Sequence, residues 1–236
     1  MFFRKMTETL WNGISMYTGP FPLGTDSVLL SQFLTLPSKA HVVDLGAGSG
    51  TLGLLLCARN ASCRVTGVEI DETAWAVAQE NIALNGLQRM QVLHGDVREL
   101  RRLLPAGSAD CVISNPPYFP VNSGKVANAY RSELTLNLAQ LCEGAAWLLP
   151  SGGRFALVHR PERLCDLIWE LRRCHLEPKR IQFVRHTAAA PVCMVLIEAR
   201  KDGKPGLQYE ADFIEFTADG QETEAYRVAY HRGESL

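Results

Sequence analysis

Residues 42–56 read "VVDLGAGSGTLGLLL": two valines, an acid, glycines at 46, 48 and 50, then a run of leucines. β-Branched residues favour a strand and leucines a helix. Glycines between them let the backbone turn tightly and approach a ligand, with the unpaired N–H groups of the helix start facing it. The alternation continues along the chain. Strands are predicted at 41–45, 64–70, 90–95, 109–114, 154–159, 180–186 and 192–199, and helices at 51–60, 72–85, 97–104, 133–149 and 161–174. Strands alternating with helices give a parallel sheet covered on its faces. Only "TAAAP" (187–191) separates the last two strands. That is too short for a crossover helix, so they should pair as an antiparallel hairpin. The expected fold is α/β: a doubly wound, mostly parallel, seven-stranded Rossmann-like sheet with an antiparallel C-terminal hairpin.

Upstream, "GTDSVLLSQFL" (24–34) reads as a helix with Asp26 as its N-cap, and "YEADFIEF" (209–216) as one further strand. A chain of 236 residues, 47% apolar, can bury one large core, and no Pro- or Ser-rich linker divides it. A single domain is expected, with 1–40 as an N-terminal extension on the ligand site, 41–200 as the sheet domain and 201–236 as an acidic extension. Seven scattered cysteines without a C-x-x-C pair suit reduced, packed thiols. No apolar run approaches a membrane span, so a soluble, cytoplasmic protein is expected, with no membrane partner. The net charge is -1, but from Arg154 to His186 eight Arg or Lys face four acids, and after residue 197 nine acids face five bases. The first segment is a candidate phosphate footprint, unless its bases are solvated helix faces with acidic neighbours.

"GSGTLG" (48–53) satisfies G-x-G-x-x-G, which leaves a dinucleotide open. Asp44 points elsewhere. An acid just before the glycines would oppose a pyrophosphate, whereas it suits a cationic ligand such as the sulfonium and amino group of S-adenosylmethionine. Glu69, ending the second strand, is placed to accept both ribose hydroxyls, and Asp96, after the third, an adenine amino group. Glu69 serves either adenosine cofactor. The alternative role for Glu69 and Asp71 is to cap the helix "DETAWAVA" and for Asp96 to cap the one after, a role Asp96 can combine with binding.

"SNPPYF" (114–119) leaves the fourth strand at the switch point of such a sheet, where ligands bind. Methyl transfer to a planar amine needs alignment and a lone pair held out of the ring. The Asn115 side-chain carbonyl and the Pro116 backbone carbonyl can both accept from that amine. Successive prolines, Pro116 and Pro117, fix the backbone and remove N–H donors. Tyr118 and Phe119 can stack on a flipped base. A tight turn with inward-packed aromatics is the bland alternative.

"DLGAGSG", "GVEID", "GDV" and "NPPYF", in this order, resemble the class I S-adenosylmethionine-dependent amino-methyltransferases, which act on adenine N6, guanine N2 or glutamine amides. "FPLGTDSVLLSQF" (21–33) resembles the segment before the glycine loop in bacterial adenine-N6 methyltransferases acting on position 37 of a valine tRNA. The likeness covers about residues 12–200. It implies S-adenosylmethionine as cofactor and S-adenosylhomocysteine as product. It further implies Gly24, Thr25 and Asp26 near the methionine end, Gly46 and Gly48 beneath it, Glu69 on the ribose, Asp96 on the adenine with Ile70 and Val97 in the same cofactor set, and Asn115 to Tyr118 on the target. Relatives often carry Arg-His-Glu in the following loop, where this chain has Arg131, Ser132 and Glu133. Lys125, Tyr130 and Arg131 adjoin the target pocket and, with Phe119, are candidate RNA contacts.

The substrate expected is structured RNA, most of all tRNA. The alternatives are an rRNA base amine, a glutamine amide of a protein, or an RNA-binding module with a vestigial pocket. About forty residues precede the first strand, where glutamine methyltransferases usually carry a helical domain, which favours nucleic acid. The histidines show no metal-ligand spacing and no metal is expected. The oligomeric state is not written in the sequence.

Overall fold

A computed structural model describes residues 7–17, 22–116 and 137–231. β1 (Thr7–Thr9) and β2 (Ser15–Tyr17) pair as an antiparallel ribbon ahead of α1 (Thr25–Phe33). Then follow β3 (His41–Leu45), α2 (Thr51–Arg59), β4 (Arg64–Glu69), α3 (Glu72–Leu84) and β5 (Met90–His94). A 3-10 turn (Val97–Glu99) leads into α4 (Leu100–Leu103), then β6 (Cys111–Ser114), α5 (Leu138–Leu148) and β7 (Arg154–His159). α6 (Leu164–Arg173), β8 (Leu176–Arg185), β9 (Val192–Lys201), β10 (Gln208–Tyr209), β11 (Phe213–Ile214) and α7 (Glu224–Ala229) complete the described chain.

The main sheet runs β10-β8-β9-β7-β6-β3-β4-β5, with β11 also on β8. β9 alone is reversed, antiparallel to both β7 and β8. The seven predicted strands are β3 to β9, and the hairpin is β8–β9. Three local expectations are corrected. β8 starts at Leu176 rather than 180, because a register shift between Pro178 and Arg180 accommodates a proline that cannot donate to the ladder. The tail forms two short strands rather than one, both parallel to β8. The N-cap of α1 is Gly24, not Asp26, whose carboxylate accepts instead from the adjacent Ser27 N–H at 2.8 Å.

Strand alternation sends side chains to two cores. Val42 of β3, Ile113 of β6 and Ala156 of β7 pack on the side of α1 and α2; Val43, Val112 and Phe155 pack on the side of α5 and α6. Leu54, Leu55 and Leu56 are fully buried although consecutive, because α2 packs on the sheet at β4 and β5 and is covered on its other sides by α1, which also rests on the sheet, and by the Trp11–Gly13 turn. Each such side chain contributes about 1.5–3 kcal/mol. Both chain ends join the first core: Leu10, Ile14 and Met16 from one, Ala229 from the other. Among the described residues no helix is long and apolar enough to cross a membrane.

Candidate active site

From β3 the chain builds β4 and β5 outward on one side, then returns to lay β6 and β7 on the other. The carboxyl ends of β3 and β6 therefore lie side by side at the switch point, Asp44 opposite Ile113. Ser114 Oγ donates to the Leu45 carbonyl at 2.6 Å and fastens the two strand ends together.

The glycine loop is held from β4. Gly46 N and Ala47 N both donate to Val68 O, at 3.0 and 3.1 Å, and Gly48 N donates to Glu69 Oε2 at 2.7 Å. Gly46 and Gly48 have φ of 77° and 56°, the left-handed region that favours glycine. A Cβ on either would meet no atom within 4 Å, so the loop's outer face is open. Its inner face is tight: a Cβ on Gly67 would lie 2.7 Å from that of Ala47.

Four acids stand at the carboxyl ends of β3, β4 and β5. Asp44 is 1% exposed, and among the described residues neither of its carboxylate oxygens has a hydrogen-bond partner. Burial, and then the nearby Glu69, pushes its pKa up to about 8. Glu69 accepts from Gly48 N and, through Oε1, from Asp71 N at 2.7 Å, so each oxygen keeps a second lone pair. Asp71 caps α3 through Ala74 N at 2.8 Å. Asp96 caps the turn at Val97, accepting from Arg98 N at 2.8 Å, and the Arg98 guanidinium holds its carboxyl below the usual range. Ile70 is a large apolar side chain left 43% exposed beside Glu69, whereas Val97 is buried.

On the other strand end, Asn115 Nδ2 donates to Ser27 Oγ at 3.0 Å. Ser27 lies in the first turn of α1, so Gly24, Thr25 and Asp26 come to the end of β6. Thr25 Oγ1 is hydrogen-bonded to the Tyr230 hydroxyl at 2.8 Å, which ties the tail to the same corner. Pro116 is buried. Pro117, Tyr118, Phe119, Lys125, Tyr130 and Arg131 lie outside the described residues. Sequence reading missed Ser27 and Asn81. Asn81 is fully buried, accepting from Tyr17 N at 2.7 Å and donating to Ser49 O at 3.0 Å, which links β2 to the glycine loop. No local pattern marks it, because both partners are distant in sequence.

A cavity of about 530 Å³ opens beside this corner, lined by Gly24 to Asp26, His159 at the end of β7 and Arg160 after it, the facing ends of β8 and β9, and the tail. Burial holds the His159 imidazole down to about 4, so it is neutral at neutral pH. The basic segment 154–186 divides differently from its composition. All seven arginines have acidic partners, among them Arg163 with Asp166 at 2.7 Å, Arg173 with Glu143 at 2.8 Å and Arg185 with Asp212 at 2.6 Å, while Lys179 donates to a backbone carbonyl.

The methyltransferase small domain model matches residues 23–172. A tRNA1(Val) (adenine(37)-N6)-methyltransferase of Tolumonas auensis is 34% identical over 76% of this chain and 76% of its own length. Its namesake from Photobacterium profundum is 29% identical over 84% and 90%. Among solved structures, one described as a predicted O-methyltransferase from Agrobacterium tumefaciens superposes with a TM-score of 0.75 at 21% identity, over 90% of this chain and 98% of that one. The sheet order and the switch-point loop give a Rossmann-like α/β fold, and the family match makes it a methyltransferase. Within that class, the chain belongs to the methyltransferase small domain family.

Proposed function

We propose that this protein transfers a methyl group from S-adenosylmethionine to the exocyclic N6 of an adenine in tRNA. The observation that carries the reading is the pairing, across one switch point, of an acid on β3 that has no hydrogen-bond partner among the described residues and a proline-fixed asparagine at the end of β6. The names of the curated relatives support tRNA as the substrate and adenine N6 as the acceptor.

The residues present fit that cofactor. Buried carboxylate oxygens without a donor favour a cationic ligand, and the open face over Gly46 and Gly48 leaves room for one. When bound, S-adenosylmethionine supplies a methyl group on a positively charged sulfur. Asp44 holds a proton in the ligand-free protein and ionises against the incoming positive charge. Glu69 offers its remaining lone pairs to ribose hydroxyls. Ile70, Val97 and Asp96 border the adenine, and Thr25 and Asp26 the methionine end. Asn115 Oδ1 and the Pro116 carbonyl accept from the target amine and hold its lone pair out of the ring. The hydrogen bond from Asn115 Nδ2 to Ser27 fixes which end of the amide faces the target. Tyr118 and Phe119 stack on the flipped base, with Lys125, Tyr130 and Arg131 on the surrounding RNA. The setting is the cytoplasm, where tRNA is modified.

The test is transfer of radiolabelled methyl to total tRNA from a strain lacking the protein, followed by nucleoside analysis. Label is expected in N6-methyladenosine, and Asn115→Ala should lower the rate roughly 100- to 1,000-fold. Label absent from tRNA, or found in another nucleoside, overturns the reading.

A further inference from the structure

We propose that His186, Cys193 and Glu215 form a binding site for a divalent transition metal ion of the zinc class. One donor atom from each, an imidazole nitrogen, a thiol sulfur and a carboxylate oxygen, lie within 4.8 Å of one another on the wall of the 530 Å³ cavity. They come from three neighbouring segments of the sheet, His186 just past β8, Cys193 in β9 and Glu215 just past β11. Strand pairing sets the convergence. Val184 faces Met194 while Arg185 faces Val192, so Cys193 is the extra residue of a bulge, a device that re-aims a side chain. On the other side β11 runs parallel to β8, with Ile214 opposite Arg185, Glu215 N donating to Arg185 O at 3.0 Å and Phe216 N to His186 O at 2.8 Å. The backbone thus holds all three residues in place before any ion arrives.

Their environment suits a cation. Glu215 is 3% exposed, and among the described residues its carboxylate accepts only from the His186 imidazole. A buried carboxylate in that position gains from a positive charge it can share with its neighbours. The Cys193 thiol now donates to Val184 O at 3.3 Å, a weak contact that a metal–sulfur bond replaces. Mixed nitrogen, sulfur and oxygen donors select zinc or a similar ion over magnesium or calcium, which take oxygen. Zinc bonds of about 2.0–2.3 Å set ligand atoms about 3.3–3.8 Å apart, so closing the site takes movements of about 1 Å. The His186 side chain is exposed, and its hydrogen bond to Glu215 gives way as both turn a donor atom to the ion. Three protein ligands leave a coordination position facing the cavity, open to water or an anionic oxygen. Spacings of 7 and 22 residues match no short motif, and only the fold brings the donors together.

The test is cobalt and zinc titration of reduced full-length protein carrying Cys165→Ser, which removes the exposed thiol as a competing ligand. One ion per chain is expected, with the near-ultraviolet thiolate-to-cobalt band and the visible absorption of a four-coordinate centre. Cys193→Ser should abolish the near-ultraviolet band. His186→Ala and Glu215→Gln should each weaken zinc by more than the roughly 10- to 100-fold that losing an outer-sphere partner costs. Thermal unfolding in excess chelator separates loss of the site from loss of the fold, and His186→Ala, at an exposed position, reads the site where Glu215→Gln perturbs folding. Absence of a stoichiometric ion, or a thiolate band that survives Cys193→Ser, overturns the proposal.

Discussion

Asp44 and Glu198 are equally hidden, at 1% and 2% exposure, each in an interior strand of the same sheet. Glu198 accepts from Thr35 N at 2.7 Å and from Arg154 Nη1 at 3.1 Å, with Arg180 Nη1 at 3.7 Å. Asp44 has none of these, and burial pushes its pKa up to about 8. Burial alone therefore does not mark function. A buried acid with its cations in place joins a helix end to the sheet, whereas one without them is poised for a ligand that brings the charge.

The contrast can be broken at either end. The largest effect is expected for Glu198→Ala, which leaves two arginines and a backbone donor facing an empty space. It should cost about 3–5 kcal/mol in urea unfolding; a loss below about 1 kcal/mol would remove Glu198 as the structural counterpart. Asp44 should show its character in pH dependence. The folded protein keeps a proton there from about pH 4 to about pH 8, in a range where the unfolded chain has released it. Stability of the ligand-free protein should fall as pH rises through that window, and Asp44→Asn should remove a few kcal/mol of that slope. Equal slopes in both proteins would mean that Asp44 is already ionised. The smallest effect belongs to a third case, an acid that is partnered but exposed. Arg163→Ala, which breaks the pair with Asp166, should change the unfolding free energy in urea by less than about 1 kcal/mol.

Much of this was legible in the sequence where the signal is local. The β3 boundaries follow from "HVVDL" and the glycines after it, and Asp71 caps its helix as expected for an acid before an amphipathic run. Asp44 and Asn115 stand out because each breaks an apolar strand at its carboxyl end. What was not legible is cooperative over long separations. Composition shows a basic segment followed by an acidic tail, but not that Arg180 pairs with Glu210 and Arg185 with Asp212, 30 and 27 residues away. Two-residue strands such as β10 and β11 carry no periodicity, and their register comes from β8. Asn81 and Ser27 are likewise ordinary helix residues until the fold brings them against the glycine loop and Asn115.

The most direct measurement is the affinity of wild type, Asp44→Asn and Glu198→Gln for S-adenosylmethionine, by calorimetry on protein shown to be folded. An acid kept without a partner for a cationic ligand predicts that Asp44→Asn binds about 100-fold more weakly, the scale of a lost charge-assisted hydrogen bond, while folded Glu198→Gln binds as wild type. Wild-type affinity in Asp44→Asn would contradict the account.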